Sequence, residues 1–213
     1  YKRQEVESPF DFARQARLVV PRNMPDPRAP EFSSLVAEAL GEVIEACRGR
    51  TLGLFTSYKA LGEAHAALSQ RFADRYRILR QGELPRAELV RLFREDVGSV
   101  LLATQSFWTG IDIPGEALTG LVIDKLPFPP PNDPVAEALA ERVPDAFGVF
   151  TVPKTAILLK QGVGRLIRTR TDRGVVVLLD NRLLTKGYGR RMLRTLPPMP
   201  ITHELGGIAA FLA

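Results

Sequence analysis

Residues 99–104, Ser-Val-Leu-Leu-Ala-Thr, place four consecutive apolar side chains between two small polar ones. A strand with one face in solvent alternates apolar and polar residues, whereas an unbroken apolar run is typical of a strand covered on both faces. Residues 174–180, Gly-Val-Val-Val-Leu-Leu-Asp, repeat this pattern further along the chain. Both runs therefore predict central strands of a sheet that carries helices on each side.

Other apolar runs alternate with amphipathic segments of helical length, which is the pattern of consecutive β-α-β units. The predicted strands are residues 16–20, 51–56, 75–79, 99–104, 120–125 and 174–180. The predicted helices are residues 31–47, 59–72, 85–95, 133–143, 153–170 and 182–193. This order predicts one α/β domain of three layers with a mostly parallel central sheet.

The composition is that of an ordinary globular domain, with 45% hydrophobic and 25% charged residues among 213. Cys47 is the single cysteine, so an internal disulfide is excluded, and we expect Cys47 to pack as a small hydrophobe. No Cys/His cluster offers a metal site, and no apolar run approaches the roughly 20 residues of a membrane span. The first residue is Tyr1 rather than methionine, which favours a piece of a longer polypeptide.

The net charge of +5 is concentrated late in the chain. Between Lys154 and Arg194 stand eleven lysines and arginines but only two acids, Asp172 and Asp180. Clustered cations suit a polyanion such as nucleic acid or a nucleoside triphosphate. A solvated basic surface is the alternative interpretation of the charge run alone.

Polar, turn-forming residues follow three of the predicted strands, at 56–58, 104–115 and 124–125. In open parallel sheets, ligands bind in the crevice outside the carboxyl ends of the strands. We therefore expect the chemistry of the domain at that edge.

Gln161, Arg165 and Arg168 are spaced at i, i+4 and i+7, which would align them on one stripe of a helix. The apolar residues around them fall on the opposite stripe: Leu159, Val163, Leu166 and Ile167. One face would then pack on the sheet while the other presents an amide and two guanidinium groups suited to phosphate oxygens. A solvated helix is the alternative.

These residues carry a resemblance to a known family. The pattern Gln161-x-x-Gly164-Arg165-x-x-Arg168 resembles motif VI of the second helicase superfamily. Residues 54–58, Leu-Phe-Thr-Ser-Tyr, resemble motif IV, and residues 106–115, Ser-Phe-Trp-Thr-Gly-Ile-Asp-Ile-Pro-Gly, resemble the motif V of DinG-type enzymes, which are related to XPD. Thr109 departs from that pattern, which usually has an acid before the glycine. The resemblance runs from about residue 8 to residue 196 and is strong as an ordered set.

The resemblance implies a RecA-like domain, the second motor domain of an ATP-dependent DNA helicase. It predicts a remnant of a preceding segment at residues 1–7, the motor domain at 8–198 and a tail at 199–213. ATP and Mg²⁺ would be bound mainly by a first motor domain of the same polypeptide, because this chain has no phosphate-binding loop. Any iron–sulfur cluster would also belong to that other half, and the chain alone is expected to be inactive.

The same resemblance assigns residue roles. Arg168 would be the arginine finger that reaches the γ-phosphate, with Arg165 and Gln161 assisting. Gly110 and Asp112 would approach the nucleotide, Asp112 through the ribose, although an aspartate in a loop also commonly caps its own backbone.

Single-stranded DNA would lie across polar residues that donate hydrogen bonds to phosphates without reading bases. The predicted DNA-binding residues are Thr56, Ser57, Tyr58, Thr104, Gln105, Ser106 and Trp108. Trp108 could equally stack on a base or pack in the core, whereas Phe107 is expected in the core.

Two other functions remain open from the sequence. One is an inactive nucleic-acid-binding or partner-docking module of a DinG-related nuclease, although such a module would not need the Gln161, Arg165 and Arg168 stripe. The other is an RNA motor. A DNA helicase of this type would be cytoplasmic, associated with the nucleoid and without membrane contact; 5′ to 3′ polarity follows only by analogy.

Overall fold

The computed structural model describes residues 9–107, 115–130 and 132–213. Seven strands occur within these ranges: β1 (Ala16–Val19), β2 (Thr51–Phe55), β3 (Ile78–Arg80), β4 (Val100–Thr104), β5 (Gly120–Ile123), β6 (Gly174–Leu178) and β7 (Ile201–Thr202). They form one sheet in the order β3-β4-β2-β5-β6-β1-β7. Every pair of neighbours is parallel, which confirms the predicted α/β class.

The described helices connect these strands. They are α1 (Phe12–Gln15), α2 (Phe32–Cys47), α3 (Tyr58–Arg71), α4 (Arg86–Glu95), α5 (Pro134–Arg142), α6 (Val152–Val163), α7 (Arg182–Thr185), α8 (Gly187–Thr195) and α9 (Ile208–Leu212), with a π-helical stretch at Phe147–Thr151. Side-chain caps fix the starts of α1, α3 and α5. Asp11 accepts from the Arg14 N–H at 3.3 Å, Ser57 from the Ala60 N–H at 3.2 Å, and Asp133 from the Ala136 N–H at 2.8 Å. None of the described helices is both long and apolar enough to cross a bilayer.

The buried side chains of the strands alternate between two core clusters. In β4, Leu101 and Ala103 belong to one cluster, and Val100 and Leu102 belong to the other. Helices α4, α6 and α8 cover the first cluster, whereas α2, α3 and α9 cover the second. A helix layer thus covers each face of the strand formed by the unbroken apolar run at 99–104, as expected. The predicted three-layer arrangement is confirmed.

Cys47 is fully buried in the second cluster, as expected of a small hydrophobe. Burial raises the pKa of its thiol to about 11, and this effect outweighs the hydrogen bonds that oppose it.

Several predicted boundaries are wrong. The strand expected at 75–79 lies at Ile78–Arg80, and the helix expected at 182–193 is two helices separated at Lys186, which is extended (φ −104°, ψ 143°). The break lets α8 pack closely on α7, where a Cβ on Gly189 would stand 2.4 Å from the carbonyl oxygen of Leu183. A continuous straight helix would not bring α8 onto α7 in this way.

The residues after Pro198 pack on the domain. Ile201–Thr202 adds the seventh strand beside β1, and Ile208 is buried in the second cluster. His203 lies 2.8 Å through Nδ1 from the carbonyl oxygen of Val20. The tail therefore completes the sheet edge and part of one helix layer.

Candidate functional site

The two arginines of residues 161–168 lie near the edge of the sheet where β1 and β6 begin. Gln15, the residue before β1, donates from Nε2 to the carbonyl oxygens of Thr169 at 2.8 Å and Asp172 at 2.9 Å. Because α6 crosses back over the sheet between β5 and β6, it returns the chain to the amino ends of the strands. This segment therefore lies away from the carboxyl ends of the strands, where the sequence predicts the chemistry of the domain.

The helix that carries Gln161 is shorter than predicted. It ends at Val163 rather than at residue 170, and the N–H groups of Arg165 and Leu166 then bond back three residues, as in a tight turn. Gln161 is exposed on the last turn, while Arg165 and Arg168 belong to the loop that follows. The three side chains do not share one helical stripe. The apolar half of the prediction is confirmed, since Leu159, Val163, Leu166 and Ile167 are all buried.

Asp172 organises the loop that bears the arginines. One carboxylate oxygen accepts from the N–H groups of Arg168 at 2.8 Å and Thr169 at 2.9 Å, and the other accepts from the Thr169 hydroxyl at 2.6 Å. Burial raises the pKa of Asp172, but these hydrogen bonds and the charge of Arg168 together bring it below its usual value. Asp172 is thus an ionised anchor near neutral pH.

Both arginines are half-buried. Partial burial lowers the pKa of Arg168, and the nearby Asp172 carboxylate opposes that effect. The Nε of Arg168 donates to the carbonyl oxygen of Arg165 at 3.2 Å. The Nε of Arg165 is buried and has no hydrogen-bond partner among the described residues.

The opposite edge of the sheet carries the predicted DNA-binding residues. Thr56 and Ser57 follow β2 directly and are half-buried. Asp124, after β5, is buried and accepts from the backbone N–H of Thr56 at 3.1 Å and from its hydroxyl at 3.4 Å. Sequence reasoning placed Asp124 at this edge but gave it no role; the structure makes it the group that fixes the start of the 56–58 loop.

Gln81 contacts several of the predicted DNA-binding residues, and sequence reasoning missed it. Its Nε2 donates to the Tyr58 hydroxyl at 2.8 Å and to the Ser106 hydroxyl at 2.9 Å. Its Oε1 accepts from the backbone N–H of Thr104 at 2.7 Å and from the Thr104 hydroxyl at 3.0 Å. One amide therefore gathers three of the predicted DNA-binding residues. Its position just after the edge strand β3 was the available signal.

The segment that resembles motif V joins the two edges. The chain leaves β4 at its carboxyl end, at Thr104, and enters β5 at its amino end, at Gly120. The predicted residues Trp108, Gly110 and Asp112 lie outside the described residues. Gln105 begins a short 3-10 helix, Gln105–Phe107, and Phe107 is buried as predicted.

We expect the stability of the chain to depend on the ionisation of Asp124. Burial raises its pKa from 3.8 to about 7, despite opposing hydrogen bonds and Lys125. Because the pKa of Asp124 is higher in the folded state than in the unfolded chain, protonated Asp124 stabilises the fold. This contribution to the free energy of unfolding is complete below the unfolded pKa and is lost as the pH rises towards 7. Urea unfolding should show the native chain losing roughly 3 to 4 kcal/mol relative to Asp124→Asn between pH 4 and pH 8. Parallel pH profiles for the two chains would contradict this assignment.

No three His, Cys, Asp or Glu side chains group as metal ligands in the described ranges. The amino ends of the strands instead carry the basic loop with Arg165 and Arg168, and the carboxyl ends carry the polar surface.

Comparison with known proteins supplies the family. The model of the helicase C-terminal domain family matches residues 40–199, most of the chain. The chain belongs to this family. The match contains Arg165 and Arg168, the anchor Asp172 and all of the polar carboxyl edge.

Curated relatives place this helicase C-terminal domain near DinG and YoaA. The chain is 41% identical to the ATP-dependent DNA helicase YoaA of Escherichia coli, over 98% of this chain and 33% of that protein. It is 39% identical to the ATP-dependent helicase DinG of Mycobacterium tuberculosis, over 98% of this chain and 32% of that protein. A third relative, 31% identical over 93% of this chain and 22% of its own length, is the 3′-5′ exonuclease DinG of Bacillus subtilis. The chain spans about a third or less of these relatives.

Solved structures confirm the RecA-like helicase fold. The chain superimposes on S. tokodaii Xpd4 with a TM-score of 0.63 and 18% identity, over 88% of this chain and 38% of that one. Against the C-terminal domain of the DEAD-box protein Dbp5 the TM-score is 0.52 at 19% identity, over 90% of each chain.

Proposed function

We propose that this helicase C-terminal domain is the second motor domain of an ATP-dependent DNA helicase. The observation that carries the proposal is the placement of two different surfaces at opposite ends of one packed sheet. The anchored loop with Arg165 and Arg168 lies at the amino ends of β1 and β6. The polar residues Thr56 and Ser57 follow the carboxyl end of β2.

The arginine loop is suited to ATP held by the first motor domain. Arg168 would neutralise the negative charge that develops on the γ-phosphate during its transfer to water, and Arg165 and Gln161 would contact neighbouring phosphate oxygens. The half-burial of both arginines, with the Nε of Arg168 held by the carbonyl oxygen of Arg165, supports this role. Gly110 and Asp112 would complete the nucleotide site, while Mg²⁺ would be held mainly by the first motor domain.

The polar edge is suited to the phosphates of single-stranded DNA. The hydroxyls of Ser57 and Ser106 and the phenol of Tyr58 can donate to phosphate oxygens regardless of base sequence. The hydroxyls of Thr56 and Thr104 already donate to Asp124 and Gln81, so these two residues would contact DNA after their hydroxyls rotate towards it. The side chains of Gln105 and Trp108 complete the proposed set. Gln81 and Asp124 hold this surface in place, so DNA would meet preorganised donors.

Together, the two proposed surfaces would let the domain couple ATP hydrolysis to movement of DNA. Phosphates bound at one edge and ATP bound at the other share a rigid sheet, so closure on ATP against the first motor domain would move the DNA-binding edge as one body. Translocation from 5′ to 3′ is proposed by family resemblance.

The direct test is ATP hydrolysis by the full-length protein with single-stranded DNA, with RNA and with neither. We expect DNA to raise turnover at least tenfold and RNA to raise it much less. A protein that binds single strands without hydrolysing ATP would instead be the binding module beside a nuclease, a function that the exonuclease relative makes a specific alternative. Equal stimulation by RNA would contradict the DNA assignment.

A further inference from the structure

An open groove of about 710 Å³ continues from the Thr56–Ser57 loop across the carboxyl edge. Its wall beyond that loop is aromatic, built from Phe128, Phe147 and Tyr188. Phe147 and Tyr188 come from distant parts of the sequence and lie outside every motif described above. The part of the wall that they form is therefore a feature that the helicase motifs do not explain.

The three aromatic rings form one cluster. The centroid of Phe128 lies 5.3 Å from that of Phe147 and 5.7 Å from that of Tyr188, and Phe147 and Tyr188 are 5.5 Å apart. Arg182 stacks over the Phe128 ring at 5.2 Å and is held there by Asp180, with Nε to Oδ1 at 2.9 Å. Phe147 is still 47% exposed after packing against both neighbours. A preformed cluster thus presents an aromatic surface to the groove.

The rest of the groove wall is cationic. Arg28, Lys125, Arg182 and Lys186 line it, and Asp26 is the acid among its lining residues. Asp180 neutralises part of the charge of Arg182, and Asp124 offsets part of the charge of Lys125, whose Nζ lies 3.9 Å from its carboxylate. Arg28, Lys186 and the remaining charge of Lys125 set the sign of the surface. Aromatic rings between cations are the pattern of single-strand binding, in which bases stack and phosphates meet positive charge. An apolar protein partner would gain little from three cations around the cluster.

We propose that this groove binds an unstacked base of the single strand against Phe147. Lys125 on one side and Lys186 on the other would contact the flanking phosphates. The proposal rests on the proposed function, since it extends the DNA-binding edge beyond Thr56 and Ser57. Stacking would be tolerant of base identity, because each base offers an aromatic face.

The test is the affinity of the full-length protein for two strands of equal length, oligo(dT) and a fully abasic sugar–phosphate strand, at low salt. Phe147→Ala should weaken binding of oligo(dT) by about 5- to 150-fold, the usual range for losing one stacking partner. The same variant should change binding of the abasic strand less than twofold. Phe150→Ala is the matched control, because Phe150 is 44% exposed, is three residues away and is not among the groove's lining residues.

Equal losses on the two strands would overturn the proposal, because they would reflect a general disturbance of the surface. So would an unchanged affinity of Phe147→Ala for oligo(dT), or an equal loss in Phe150→Ala. A native protein that binds neither strand would refute the proposed function as well, whereas native binding with a silent Phe147→Ala refutes the groove alone. Thymidine monophosphate serves as a competitor of oligo(dT). If the groove binds a strand, thymidine monophosphate at concentrations near the Kd of oligo(dT) should not displace the oligonucleotide. Displacement at those concentrations would indicate a mononucleotide site and overturn the proposal.

Discussion

Replacement of Arg168 by alanine in the full-length protein is expected to reduce kcat for DNA-stimulated ATP hydrolysis by about 10³-fold or more. An arginine that neutralises charge developing in phosphoryl transfer contributes roughly 10³ to 10⁵ in rate. Its contribution is largest in the transition state, so the affinity for ATP should change little. Steady-state kinetics with a nucleotide-binding measurement gives both quantities.

Arg170→Ala is the matched control for this substitution. Arg170 is an exposed arginine of the same loop, two residues further along, with no assigned contact to nucleotide. Its loss removes the same charge from the same surface. If Arg170→Ala lowered kcat as much as Arg168→Ala, or if Arg168→Ala retained native turnover, the arginine-finger assignment would be wrong.

Replacement of Asp172 by alanine should lower kcat by about 10²-fold through the position of the arginines. Asp172 touches no substrate in this account; it holds the Arg168 and Thr169 N–H groups and the Thr169 hydroxyl. A displacement of about 1 Å in a positioned catalytic group can cost about that factor. The KM for ATP should change less than kcat, and DNA affinity should stay near the native value because the loop lies at the other edge.

Asp133→Ala separates this positioning role from a general loss of stability. Asp133 also caps backbone N–H groups, accepting from Ala136 at 2.8 Å, but it begins α5, in a different part of the chain. Loss of such a cap costs about 1 kcal/mol, so both variants should melt at somewhat lower temperatures. Equal turnover in the two variants would mean that Asp172 acts on stability alone.

The sequence predicted the layers of the fold well because the signals for them are local. Apolar runs such as 99–104 and 174–180 reveal burial on both faces without reference to any other segment. The seventh strand gave no comparable signal. Ile201–Thr202 is two residues long and exposed, and its pairing with β1 depends on contacts across the whole chain.

The candidate site was harder to predict because distant contacts shape it. The helical spacing of Gln161, Arg165 and Arg168 was real in the sequence, yet α6 stops at Val163. Gln15, more than 150 residues earlier, donates to two carbonyl groups of the loop that follows α6. Asp172 accepts from N–H groups of the same loop. Helical spacing alone carries no information about such anchors. Gln81 was missed for the same reason, since its partners come from two other loops.

In the proposed motor, ATP and DNA act at opposite ends of the strands of this one domain. Titration of ATP hydrolysis with single-stranded DNA, using the full-length native protein and Arg168→Ala, separates the two sites. We expect maximal turnover of Arg168→Ala to fall about 10³-fold or more, while the DNA concentration for half-maximal stimulation stays within about twofold of the native value. A variant with native maximal turnover that needs far more DNA would place Arg168 on the DNA-binding surface and contradict the account.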